Sequence, residues 1–181
     1  MIIDQKKDDN TARYIDLLLV LLDLGFENGF IPNPRSFPHI PEVMAVADET
    51  SRQIYIDAMR EVKGDSHEVL FIAHVWSALA GVGGVICMRN SPQDICQKGV
   101  YTTLISSRGF DGMDDYVLER MEIRDEQEKK ALLRHLGLIG QILVHEVECR
   151  DQCSMEIQVG ETMKAAFVYG MILQMNRVEK I

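Results

Sequence analysis

Asp115, Glu119, Glu122 and Glu126 are spaced four, three and four residues apart, so a continuous helix would carry them as one carboxylate stripe. Hard oxygen ligands at one-turn spacing suit Mg²⁺ and, through it, a phosphate-containing small molecule, which is the chemistry of a helical metal-dependent hydrolase. Arg120, Arg124, Lys129 and Lys130 interleave with these acids, and that mixture is equally the composition of a solvated helix face. The densest cluster of potential ligands is His145, Glu146, Glu148, Cys149 and Cys153. His145 and Cys149 are one helical turn apart and can approach one Zn²⁺, but a closed site needs two more donors, for which His135 and His74 are the candidates. No resident cofactor is expected; a divalent metal, Mg²⁺ at the carboxylates or Zn²⁺ at His145 and Cys149, is what these clusters would take.

Other chemistries lack their pattern. His67 and His74 are seven residues apart, about 10 Å along a helix at ~1.5 Å per residue, too far for one ion. Neither the Glu-x-x-His pair of a di-metal bundle nor the His-Glu-x-x-His of a zinc protease occurs. Gly81-x-Gly-Gly follows no strand, so it is neither a dinucleotide fingerprint nor a P-loop, and no Gly-x-Ser-x-Gly sets a serine on a sharp turn. Cys149 and Cys153 are one residue too far apart for a redox pair.

These residues must be positioned by helices. Ile15 to Leu24 is apolar nearly all round, and a helix capped at Asn10 or Thr11 would end near Gly25 to Gly29. Pro32, Pro34 and Pro38 mark an extended connector, and Pro41 opens a second helix reaching Lys63-Gly64. Asp65 and Glu68 form a capping box for the most apolar helix, Val69 to Met88. That run is long enough to span a bilayer, but His74, Ser77 and three glycines argue for a buried central helix. Ala73, Ser77 and Gly81 recur every four residues, as do Ala80 and Gly84, so a neighbouring helix backbone can come close.

Ser91-Pro92 starts another helix. Val100 to Ile105 has strand-forming composition but is read as helix. Asp125 and Glu128 cap a helix in which Leu132, Leu136, Ile139, Leu143 and Val147 give the clearest amphipathic spacing. Met163, Phe167, Gly170, Gln174 and Val178 make the stripe of a last helix after a break at Asp151 to Gly160. The expected fold is all-α, one domain over 1–181, a bundle of about six or seven helices around the Val69 to Met88 helix.

Composition limits partners. The 181 residues are 46% hydrophobic with a net charge of −9, and the arginines are scattered among acids along the chain. Nucleic acid and membrane surfaces are therefore poor partners. Four cysteines without a disulfide-scaffold spacing, and an N-terminus without an apolar leader, point to the cytoplasm. Surplus apolar helix surface without a convergent catalytic set favours a non-catalytic binding or interaction module, a homo-oligomer or the receptor of a protein partner. The metal-dependent hydrolase is the alternative, and an apolar-ligand carrier with its pocket beside Gly81 to Gly84 is a third reading.

Overall fold

Small residues at four-residue spacing on the most apolar segment set the architecture. In the computed structural model, which describes residues 2–32, 41–149 and 155–179, the described residues form eight helices and no strand: α1 (Ile2–Glu27), α2 (Pro41–Glu61), α3 (Ser66–Asn90), α4 (Pro92–Lys98), α5 (Val100–Ile105), α6 (Met113–Arg120), α7 (Glu126–Glu148) and α8 (Met155–Glu179). The fold is an all-α bundle, and α3 is its axis, with α2, α4, α5, α6, α7 and α8 all packed against it. α3 passes the length and hydropathy test for a membrane span, but 78% of its most apolar window is buried inside the protein.

α3 and α8 meet backbone to backbone. A Cβ on Gly81 would strike the Phe167 carbonyl oxygen and the Met171 amide, and one on Gly170 would strike the Ala78 carbonyl. Each helix thus seats its glycine on the other's main chain, an approach only the smallest side chain allows. The neighbouring glycines are filled differently: Gly83 faces Leu104 and Val117, and Gly84 faces Val100. The space expected to receive an apolar ligand beside Gly81 to Gly84 is occupied by the protein's own α5, α6 and α8. The glycines do not end α3, which runs on to Asn90, because tertiary packing outweighs their poor helix propensity.

Close approach also buries polar atoms, and they find partners in the same seam. Ser77 donates to the Met163 carbonyl at 2.8 Å, and Ser51 of α2 lies 3.2 Å from the Ser77 hydroxyl. His74 is fully buried; its Nδ1–H donates to the Leu70 carbonyl at 2.6 Å, so in the neutral ring Nε2 accepts from Thr162 at 2.8 Å. On α7, Asn28 donates to His135 Nδ1 at 3.3 Å, leaving Nε2–H to donate to Tyr169 at 2.5 Å, while Phe30 stacks on the ring at 4.4 Å. This ties the end of α1 to α7 and α8.

Several boundaries differ from the sequence expectation. α1 runs through Asn10 and Thr11 rather than starting there, since nothing in that stretch forbids helix and the apolar run beyond it propagates the turn. Asp65 does cap α3, accepting from the Glu68 amide at 2.9 Å, and Asp125 caps α7 through the Gln127 amide. Ser91 marks the α3–α4 boundary without a side-chain cap bond. Val100 to Ile105 is helical, with Val100, Tyr101, Thr103 and Leu104 buried on one side. α8 begins at Met155 and passes through Gly160. Leu132, Leu136, Ile139, Leu143 and Val147 are all in the core. Pro34 and Pro38 of the expected connector lie outside the described residues.

Two outcomes follow. Gly81→Ala or Gly170→Ala forces α3 and α8 apart and should cost more than about 4 kcal/mol, whereas Gly84→Ala, whose Cβ would sit 3.3 Å from Val100, should cost under about 1 kcal/mol in urea unfolding. Burial lowers the pKa of His74 from 6.5 to about 4. The unfolded ring takes up a proton that the folded ring refuses, so stability is complete above pH 6.5 and falls towards pH 4, by about 3 kcal/mol from this group. His74→Gln should be less stable at neutral pH yet lose less stability over that interval.

Candidate functional site

The carboxylate stripe requires one helix from 115 to 126, and the chain does not supply it. α6 ends at Arg120 and α7 starts at Glu126, and between them Glu122 adopts a left-handed backbone with φ 54°. Asp115 is exposed on α6. Glu119 is gripped by Arg108 through bonds of 3.0 and 2.5 Å, which hold its carboxyl below the usual range, and Glu126 belongs to the first turn of the next helix. The expected four-carboxylate face is therefore divided among two helices and a turn. The Asp125 cap is the physical reason, because a residue capping a new helix cannot sit inside a continuous one.

His145 and Cys149 are brought together, with Cys149 Sγ 3.4 Å from His145 Nδ1 at the exposed end of α7. The other donors proposed for a zinc site are committed elsewhere: His74 and His135 are buried in the hydrogen bonds described above. Glu148 instead accepts from His67 of α3 at 2.9 Å, pinning the start of α3 to the end of α7. Cys153 lies outside the described residues. No group of three or more His, Cys, Asp or Glu side chains among the described residues is arranged to hold a metal ion.

A large concavity lies elsewhere, an open groove of about 770 Å³ between α2 and the α4–α5 elbow. Gly99, with φ 79°, turns the chain sharply between α4 and α5 and so opens the groove's second wall. Val46, Ile56, Val100 and Ile105 give it apolar surface, and Glu49, Gln53, Arg60 and Lys98 give it polar surface. At its base the buried Asp57 carboxylate accepts from the Tyr101 hydroxyl and from the Arg60 guanidinium. Burial, reinforced by the Asp57 charge, pushes the Tyr101 phenol well above its ordinary pKa. Acid and phenol are thus locked to each other and to Arg60. Cys96 is an exposed thiol on the groove wall, but no histidine lines the groove to activate it. The arrangement offers a binding surface; among the described residues that line it, no nucleophile is paired with a base.

Sequence reasoning passed over this groove because Asp57 and Arg60 belong to one element and Tyr101, 44 residues beyond Asp57, to another. One sign was legible: Ala45, Glu49, Arg52, Ile56 and Met59 are spaced four, three, four and three apart, and all five are solvent-exposed on α2. Compared with protein-family models, curated proteins and solved structures, the chain matches none.

Glu122 is, among the described residues, the one non-glycine residue with a left-handed backbone, just past the end of α6, a position glycine occupies without steric cost. Glu122→Gly should therefore raise the unfolding free energy by about 1 kcal/mol in urea titration, and a loss of stability would mean that its carboxylate is held by its surroundings.

Proposed function

We propose that the chain is a non-catalytic helical interaction module that pairs with a second copy of itself through the outer face of α2, in the reducing cytoplasm. The observation that carries this reading is the α2 stripe. Val46, Ile56 and Met59 are 39%, 50% and 61% exposed, and Glu49 and Arg52 stand among them without an ion pair among the described residues. A 3.5-residue spacing is that of a helix seam meeting another helix. Packed antiparallel about a two-fold axis near Arg52, two such helices set Ala45 against the partner's Met59 and Glu49 against the partner's Ile56. The two copies' Glu49 and Arg52 then form a neutral four-member cluster.

Local neutrality matters in a chain of net charge −9, where two copies repel each other on average. α1 also exposes Ile15, Leu19 and Phe26, but the charges around them, Asp16, Asp23 and Glu27, are all acidic. Self-pairing there would set like charges face to face. Ile56 and Glu49 also line the α2–α5 groove, so partner side chains crossing α2 have a concave surface to enter. The thiols of Cys87, Cys96 and Cys149 are free, which agrees with a reducing compartment.

Sedimentation equilibrium across the micromolar range tests the proposal. A dimer is expected, converted to monomer by Ile56→Glu with Met59→Glu at unchanged helicity, and unaffected by Leu19→Glu. A strictly monomeric wild type, or a dimer broken by Leu19→Glu and not by the α2 pair, would overturn it.

A further inference from the structure

Arg89, Arg120 and Arg177 are more than 30 residues apart from one another in the chain, yet all three line one cavity of about 200 Å³. Each sits in the last turn of its helix, α3, α6 and α8 respectively, and the three helices end side by side. Ile86, Asn90, Met121 and Gln174 complete the wall, and Glu122 is its acidic member. Such arginines ordinarily offset the partial negative charge of helix ends. Here the backbone already does part of that work: the Ser91 amide donates to the Cys87 carbonyl at the end of α3, and the Met121 amide donates to the carbonyls of Val117 and Glu119 at the end of α6.

The guanidinium groups are held in place by different means. Arg120 lies 3.6 Å over the Tyr116 ring, and Arg177 donates to Glu128 at 2.7 Å. Arg89 forms no ion pair among the described residues. Beside them Gln174 is 6% exposed, and its amide oxygen is buried without a hydrogen-bond partner. An unpaired buried amide costs about 1 to 3 kcal/mol, so a group that satisfies it is favoured.

The geometry points to a binding site for a small phosphate group in this cavity. Phosphate offers several oxygens to a fork of guanidinium donors, and inorganic phosphate keeps a protonated oxygen at neutral pH, a donor of the kind the Gln174 amide oxygen lacks. A dicarboxylate has the charge but no such donor. The volume admits inorganic phosphate or a small phosphate monoester and lies below the ~300 Å³ at which drug-sized ligands begin to fit. The site stands apart from the α2 face, so neither reading depends on the other.

The test uses the full chain and compares its melting temperature in sodium phosphate, sodium succinate and sodium chloride at equal ionic strength. Phosphate should raise it above both other salts. Arg89→Gln, an exposed position that leaves the fold intact, should weaken the phosphate effect about tenfold in concentration, the cost of one charge-assisted hydrogen bond. Glu122→Gln should strengthen it. Equal melting in phosphate and chloride, an unchanged phosphate response in Arg89→Gln, or succinate acting as well as phosphate would overturn the assignment.

Discussion

The contact on which the rest of the structure depends is the reciprocal seating of Gly81 on the α8 backbone and of Gly170 on the α3 backbone. Main chains that close cannot slide or rotate independently, because any other residue at either position collides with a carbonyl. The same approach brings Ser77 within reach of the Met163 carbonyl and His74 within reach of Thr162, so the polar atoms buried at this seam are paired by the geometry that buries them. Register and polar satisfaction are one event. α2, α5, α6 and α7 then take up the remaining faces of α3, with Leu104 and Val117 filling the space in front of Gly83.

Where helices end is as consequential as where they pack. α3, α6 and α8 finish next to each other, and their last-turn arginines become neighbours in space. On another flank of α3, α5 meets α2 at Tyr101 and Asp57, and the bend at Gly99 leaves an open groove above that contact. Both concavities owe their chemistry to residues from separate helices. The groove's acid is buried under Tyr101 and Arg60, a placement that consumes its hydrogen-bonding capacity in structure and supports binding over proton transfer.

The fate of the nominated ligands has a single cause. Spacing places side chains together only along an unbroken element, and the Glu122 turn with the Asp125 cap breaks the element between Glu119 and Glu126. Glu119 then answers to the nearest cation, Arg108, across the loop. His145 and Cys149, one turn apart at the end of α7, keep the proximity that their spacing implies, while the imidazoles expected to complete a metal site are drawn into the core by the aromatic and hydroxyl groups around them.

The sequence by itself determined what local chemistry controls: the all-α class, the caps at Asp65 and Asp125, the buried stripe from Leu132 to Val147, and the small-residue face of α3 that demands a close neighbour. The spacing of Ala45, Glu49, Arg52, Ile56 and Met59 is also written along the chain, but that this face of α2 is exposed is a finding of the tertiary structure. Only the tertiary structure decided that the neighbour is α8, that Asp57 meets Tyr101, and that Arg89, Arg120 and Arg177 line one cavity with Gln174. Those pairings join residues distant in sequence, and their energies depend on which helix faces pack together and where each helix stops. No local pattern of charge or hydropathy records either.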